Sequence, residues 1–251
     1  RACIRPPGLG GGVRGDGGGG GGGDGTASAL PGGRPRDQLS KECTQFLVDA
    51  SASMLAEPLS GGPSPFSTAL QAAVDLQRDY ARSGSGDLVA VALVGTEGCT
   101  NQNFPGIWEL VPAQKKYLPG PTVINDLRAC IPEPGAARLP LGAMGGLLKG
   151  CGGSMQGDNP PFADALHYAQ LGLDAVADMQ RRVLLFTDKE KPGTDIARGQ
   201  MLTKARDLHN GGIQLDLFLV RPDGAREADL AAFWRPLIAA NRLGDAAADA
   251  E

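Results

Sequence analysis

The sequence lacks the basic excess that a nucleic-acid-binding surface usually carries. Its 24 lysine and arginine residues are outnumbered by 28 aspartate and glutamate residues, which gives a formal net charge of −4. Proteins that hold nucleic acid tightly show a basic patch or stripe, because contacts to phosphate need Lys and Arg. No such stripe is visible here, so we expect this chain to make little contact with DNA by itself.

Long apolar runs, paired cysteines and common catalytic motifs are also missing. No apolar run approaches the ~20 residues of a membrane-spanning helix, so we expect no membrane partner. The five cysteines are widely spaced without a C-x-x-C pair, which predicts reduced thiols and neither a disulfide framework nor a zinc site. The sequence contains no G-x-x-x-x-G-K-[ST] phosphate loop and no nucleophile-elbow serine. His167 and His209 fall on different predicted helices in polar company, and we predict no enzymatic activity.

Glycine dominates the amino-terminal segment of the chain. The stretch "GLGGGVRGDGGGGGGGDG" has almost no apolar side chains, and ordering glycine costs more backbone entropy than ordering any other residue. A glycine-rich phosphate loop would need a strand before it and a helix after it, and this segment has neither. We therefore predict a disordered tail over residues 1–40, one α/β domain over residues 41–243 and a frayed tail over residues 244–251.

Apolar segments of strand length alternate with segments of helical spacing from residue 41 onward. Three of the strand segments, residues 43–49, 88–95 and 183–188, read as apolar segments typical of strands buried on both faces of a parallel sheet. Residues 213–220 predict the last strand. A short segment, residues 106–110, predicts an antiparallel edge strand. The fold class is therefore α/β, a doubly wound and mostly parallel sheet of the Rossmann-like kind with helices on both faces.

Proline positions predict where three of the helices begin or change. Ser64-Pro65 and Asn159-Pro160 each combine a helix N-cap with a proline in the first turn. Pro236 stands inside the apolar stripe of the last helix, where it is expected to kink or shorten that helix.

Four oxygen-bearing side chains follow two strands that we expect to be neighbours. In a doubly wound sheet the functional site lies beyond the carboxyl ends of the strands, where the strand order reverses. Asp49 ends the first strand and is followed by Ser51 and Ser53, whereas Asp188 ends the fourth strand. Hydroxyl and carboxylate oxygens are the ligands that Mg²⁺ prefers, so these four residues form a candidate metal site. Alternatively, Asp49 and the serines cap the turn and the segment that follows.

The D-x-S-x-S motif, together with Thr-Asp at the end of a later strand, resembles the von Willebrand factor type A domain. In that family these residues form a metal-ion-dependent adhesion site. A threonine also contributes to the site, and it comes from the loop that opens the helix before the fourth strand. Phe162 stands at the threonine position of this sequence. The resemblance therefore implies a degenerate site, weak or vestigial, with Mg²⁺ as a weakly bound ion at most and no other cofactor.

Five longer segments, in the same order and at compatible spacing, resemble the amino-terminal domain of the Ku proteins. They cover residues 41–243 and fit the seventy-kilodalton subunit better than the eighty-kilodalton one: "SPFSTALQAAVDLQRDY", "LVAVALVGTEG", "NFPGIWEL", "RRVLLFTDKEKPG" and "KARDLHNGGIQLDLFLV". Ku is a nuclear heterodimer that binds DNA ends, initiates non-homologous end joining of double-strand breaks and acts at telomeres.

The resemblance to Ku implies a nuclear protein-interaction domain without catalytic activity. Its implied partners are the eighty-kilodalton Ku subunit, other repair proteins and, through the full-length heterodimer, DNA ends. A hypothesis of a different class is a metal-dependent adhesion or ligand-binding module of the von Willebrand type, unrelated to DNA repair. Secreted modules of that type normally bring a signal peptide and paired cysteines, and neither is visible in this sequence.

Overall fold

The computed structural model describes residues 41–58, 61–114, 117–136, 139–140, 147–153, 159–189, 193–220 and 227–243. The two predicted tails, residues 1–40 and 244–251, lie outside the described residues. Strands and helices alternate along the described chain, in this order: β1 Glu42–Asp49, α1 Ala52–Leu55, α2 Pro65–Ser83, β2 Leu88–Val94, β3 Ile107–Val111, α3 Pro121–Arg128, α4 Phe162–Asp174, β4 Gln180–Thr187, α5 Asp195–Asn210, β5 Ile213–Leu219 and α6 Glu227–Leu243. The extent of the domain over residues 41–243 stays a prediction.

The strands form one five-stranded sheet in the order β3-β2-β1-β4-β5. β1 pairs in parallel with both β2 and β4, and β4 pairs in parallel with β5. β3 is antiparallel to β2 at the edge of the sheet. The predicted fold class is therefore confirmed, including the antiparallel edge strand and the adjacency of the first and fourth strands.

The helices cover both faces of the sheet because side chains alternate between the faces along each buried strand. Leu47 of β1 packs in one apolar cluster with residues of α4, α5 and α6, whereas Phe46 and Val48 pack in a second cluster with residues of α2 and α3. β2 is buried throughout. The sheet is thus the middle layer of three, and the carboxyl ends of β1 and β4 open at one edge between the helical layers.

The start of α2 agrees with the prediction from the sequence, whereas the start of α4 does not. Ser64 caps α2 as predicted, since its side chain accepts a hydrogen bond from the Ser67 backbone N–H at 3.1 Å. Asn159 does not cap α4, because that helix begins at Phe162 after an N-cap at Pro161. The residue before a proline is disfavoured in helical conformation, and Asn159 and Pro160 each precede a proline. The predicted Asn159 cap is therefore wrong.

Pro236 lies inside α6 and does not shorten it, because Trp234, Leu237 and Ala240 are buried at helical spacing and their packing offsets the hydrogen bond that proline removes. A kink at Pro236 stays a prediction. A further expectation, that of reduced thiols, is corrected by the structure. The cysteines are not all reduced, since Cys99 is disulfide-bonded, whereas the other three described cysteines are buried free thiols. Among the described helices, none combines the length and apolarity needed to cross a bilayer.

Candidate functional site

The carboxyl ends of β1 and β4 meet at Asp49 and Thr187. Asp49 is fully buried, and its Oδ2 atom accepts a hydrogen bond from the Thr187 hydroxyl at 2.8 Å. Its Oδ1 atom accepts the backbone N–H of Ser51 at 2.8 Å. We call this region the strand-end crevice and define it by Asp49, Ser51, Ser53 and residues 187–189. The structure therefore brings the predicted residues of the two strands to one place.

The electrostatics of the crevice are set by the burial of Asp49. Burial raises the pKa of the Asp49 carboxyl, because removing a carboxylate from water disfavours its charged form. The hydrogen bonds from Ser51 and Thr187 oppose that rise, and the nearby negative charge of Asp188 adds to it. A buried carboxylate with this environment requires donors around it, and the two hydrogen bonds provide them.

The two serines of the motif lie at the start of α1. Ser51 is the N-cap residue of that short helix, but its side chain makes no capping hydrogen bond. Its hydroxyl instead lies 3.2 Å from the hydroxyl of Ser53. The proposed turn therefore exists, although Asp49 and not a serine side chain accepts the backbone N–H that closes it.

Asp188 and Phe162 occupy the remaining positions of the candidate metal site. Asp188 is partly buried, and its Oδ1 atom has no hydrogen-bond partner among the described residues. Phe162 is 2% exposed and packs edge-on against Trp234, with ring centroids 6.0 Å apart. An aromatic ring of the core thus stands where the adhesion motif would supply a hydroxyl ligand.

Lys189 belongs to the crevice, although no motif of the sequence includes it. Its Nζ atom donates to Ser53 Oγ at 3.1 Å, and its backbone N–H donates to Thr187 Oγ1 at 3.1 Å. Its carbonyl oxygen accepts the indole N–H of Trp234 at 2.9 Å. The only signal in the sequence was a lysine directly after a strand-end aspartate, and such a lysine is usually solvent-exposed.

These residues do not fit a resident divalent cation. Mg²⁺ requires near-octahedral oxygen ligation, but Phe162 stands in the sequence where the adhesion motif has a threonine, and the Ser53 hydroxyl contacts an ammonium group. That positive charge opposes a second cation at short range. Among the described residues, no cluster of three or more His, Cys, Asp or Glu side chains could hold a metal ion. A weak metal site at Asp49, Ser51, Ser53 and Asp188 stays a prediction that this geometry disfavours.

Within the described part of the chain, the two histidines make structural contacts and neither contacts the crevice. His167 packs edge-on against Phe104, with ring centroids 5.6 Å apart. Nδ1 of His209 lies 2.6 Å from the backbone carbonyl oxygen of Asn241, so this nitrogen carries the proton that is donated. Neither arrangement couples a histidine to a nucleophile, as catalysis would require.

Comparison with known proteins shows which family the sequence resembles. Residues 43–138 match the family model described as the Ku70/Ku80 N-terminal alpha/beta domain. The resemblance to the Ku domain is confirmed. The matched segment contains β1, β2, β3 and α3, so it includes the first half of the strand-end crevice. Asp188 and Lys189 lie beyond the segment that the family model matches.

Curated relatives extend the similarity over most of this chain. The chain is 30% identical to "X-ray repair cross-complementing protein 6" of Mus musculus over 211 residues, which cover 77% of the chain and 30% of that protein. It is 28% identical over 186 residues to "ATP-dependent DNA helicase 2 subunit 1" of Rhipicephalus appendiculatus, covering 72% and 28%. It is 25% identical over 213 residues to "ATP-dependent DNA helicase ku70" of Dictyostelium discoideum, covering 79% and 22%. The chain thus spans less than a third of the length of these relatives.

Proposed function

We propose that this chain is the amino-terminal interaction domain of a Ku subunit of the seventy-kilodalton type. In this proposal the subunit pairs with an eighty-kilodalton Ku subunit in the nucleus, and the heterodimer binds DNA ends. It then acts in repair of double-strand breaks by non-homologous end joining and in telomere maintenance. One observation carries the proposal, namely that relatives with ku70 or X-ray repair in their names align with 77–79% of the chain.

The domain is assigned a role in binding proteins and little role in holding DNA. The net charge of −4 supports this assignment, since DNA-binding surfaces need uncompensated Lys and Arg. Several basic side chains are already paired within the domain. Arg181 bonds to Asp174 at 2.9 Å, Arg182 to Asp216 at 3.0 Å and Lys204 to Asp207 at 2.9 Å. The surfaces that bind other repair proteins form part of the same proposal.

We assign no catalysis to this domain, although two of the relatives are named ATP-dependent DNA helicases. An ATPase of the phosphate-loop class needs G-x-x-x-x-G-K-[ST] to hold the nucleotide phosphates, and this sequence contains no such motif. The strand-end crevice provides a buried carboxylate, two serines and a lysine, with no histidine base beside either serine. The alternative of a metal-dependent adhesion module is not favoured, because the charge of Lys189 opposes a metal ion and Phe162 provides no hydroxyl ligand for one.

End joining in cells tests the proposed function. We expect disruption of the gene to reduce rejoining of a linearised plasmid and to sensitise cells to double-strand breaks. Re-expression of the intact gene should restore rejoining, whereas a gene lacking the coding sequence for residues 42–243 should not. Normal rejoining after disruption would refute the proposed role in repair.

A gel-shift experiment tests the assignment of DNA contact. The 251-residue chain alone should not shift a blunt duplex at physiological salt. Co-expressed full-length heterodimer, assayed beside it, should shift the same duplex. Tight binding of DNA ends by the isolated chain would contradict the proposal that this domain binds proteins and makes little contact with DNA.

A further inference from the structure

We propose that Lys189 supplies a built-in cation to the strand-end crevice, in place of a divalent metal ion. This inference concerns the chemistry of the crevice and does not depend on the proposed role in DNA repair. In the adhesion-type arrangement a metal would lie against the hydroxyls of Ser51 and Ser53. In this chain the ammonium group of Lys189 lies against the Ser53 hydroxyl, at 3.1 Å.

The backbone of Lys189 is held by two hydrogen bonds. Its N–H is fixed to the Thr187 hydroxyl and its carbonyl oxygen to the indole of Trp234, at 3.1 and 2.9 Å. Trp234 is buried in the core on α6, and Thr187 is fully buried at the end of β4. These two hydrogen bonds hold the backbone of Lys189 beside the end of β4, from where its Nζ atom reaches the Ser53 hydroxyl.

The charges around the crevice explain why a cation is useful there. Asp49 is a fully buried carboxyl, and Asp188 beside it has a buried oxygen without a hydrogen-bond partner among the described residues. Two carboxyl groups at the ends of neighbouring strands repel each other and are stabilised by a positive charge nearby. The Lys189 ammonium brings a positive charge to the Ser53 hydroxyl of this crevice without the octahedral ligand set that Mg²⁺ requires. The same charge repels a divalent cation from Ser53.

The consequence is a crevice whose structure does not depend on metal and which excludes metal while Lys189 is present. Removal of the ammonium frees the Ser53 hydroxyl and leaves the oxygen atoms of the motif to a cation. Substitution of Lys189 should therefore convert the crevice into a weak metal site. Lys189 is partly exposed, so its substitution should leave the fold intact.

Thermal unfolding of the full 251-residue chain with and without MnCl₂ tests the inference. Four proteins are compared after removal of trace metal with EDTA: wild type, Lys189→Met, Lys189→Arg and the matched control Lys204→Met. Lys204 is a partly exposed lysine on α5 that pairs with Asp207. With about 10 mM MnCl₂ we expect the melting temperature to rise by about 3 °C in Lys189→Met alone. A second substitution, Ser53→Ala, in the Lys189→Met background should abolish that rise.

Three results would overturn the inference. A rise in the wild type would show that metal binds while the lysine is in place. Equal rises in Lys189→Met and Lys189→Arg would show that the charge of residue 189 does not control metal binding. Absence of a rise in Lys189→Met, or a rise that persists after Ser53→Ala, would show that Lys189 does not occupy the position of a metal.

Discussion

Thr187 and Asp49, 138 residues apart in the chain, are joined by a hydrogen bond of 2.8 Å between the Thr187 hydroxyl and Asp49 Oδ2. Both residues are fully buried and end neighbouring parallel strands. The same hydroxyl oxygen accepts the backbone N–H of Lys189. One threonine side chain thus connects the first strand, the fourth strand and the loop that carries the crevice lysine.

Replacing Thr187 by valine, which keeps the shape and removes the hydroxyl, should destabilise the domain. Asp49 Oδ2 would lose its donor in a buried position, which costs about 1–3 kcal/mol. Urea denaturation measures the change. The control is Thr203→Val on the exposed face of α5, where the hydroxyl bonds only to the carbonyl oxygen of Gly199. Equal effects of the two substitutions would show that the link between the strands contributes no stability.

Asn241 of α6 holds the outer edge of β5, and its loss should destabilise the sheet edge. Its side chain is 4% exposed, accepts the N–H of Leu215 at 2.8 Å and donates to the carbonyl oxygens of Ile213 and Ala205 at 3.0 and 3.2 Å. Substitution by alanine should lower the free energy of unfolding by about 2–3 kcal/mol, because buried backbone groups lose their partners.

Asn241→Asp should be more destabilising than Asn241→Ala at pH 7. Aspartate keeps the size of asparagine but turns acceptor atoms toward two carbonyl oxygens, which also accept. Asn125→Ala, at an exposed position on α3, is the control and should remain within about 0.5 kcal/mol of wild type. If the aspartate variant were as stable as wild type in chemical denaturation, the role assigned to the amide would be incorrect.

Two neighbouring arginines of β4 should differ in their contributions to stability. The Arg181 side chain is 12% exposed and bonds both to Asp174 and to the carbonyl oxygen of Gly211. The Arg182 side chain is 41% exposed and pairs with Asp216 and Glu42. Arg181→Met should lower the free energy of unfolding by about 1–3 kcal/mol, whereas Arg182→Met should lower it by under about 1 kcal/mol because solvent screens the pair. The reverse order in parallel denaturation curves would contradict this ranking.

Tyr168 should make the domain sensitive to alkaline pH. Burial of its ring, with the Glu109 carboxyl beside it, raises the pKa of the phenol well above its ordinary value of 10.0. The unfolded chain releases this proton at the ordinary pKa while the folded chain retains it. The stabilisation is therefore fully present below pH 10 and is lost as the pH rises beyond it.

Tyr168→Phe removes the titrating group and isolates its contribution. Between about pH 10 and pH 11 the free energy of unfolding of the wild type should fall more steeply than that of the variant, by up to about 1.4 kcal/mol per pH unit. The lysines titrate in both proteins and cancel in the comparison. Parallel curves over this range would mean that the phenol ionises equally in the folded and unfolded states.

The strands and the position of the candidate site could be predicted from local patterns. Continuous apolar segments identify buried parallel strands because both faces of such strands pack against helices. Asp49 and Asp188 follow two of these segments, and a doubly wound sheet brings the ends of the central strands together. The lack of a hydroxyl at the Phe162 position was also visible in the sequence, because comparing a motif residue by residue requires no knowledge of distant contacts.

The helix boundaries were predicted less well because they depend on competing local effects. Ser64-Pro65 and Asn159-Pro160 look alike in sequence, but the second pair is followed by another proline, which moves the helix start to Phe162. Pro236 was expected to kink or shorten the last helix, and the helix is not shortened. The burial of Trp234 and Leu237 around it maintains the helix, and burial of this kind is decided by the neighbours in space.

The sequence by itself determined the α/β class, the five strands, the adjacency of the first and fourth strands and the resemblance to Ku. These follow from periodicity and short motifs, which act between residues close in the chain. Only the tertiary structure decided that Lys189 contacts Ser53, that Trp234 holds the Lys189 carbonyl and that Thr187 bonds to Asp49. Those contacts join residues 45 to 138 positions apart. Their geometry depends on how α6 and the strand ends pack, and no local pattern encodes that packing.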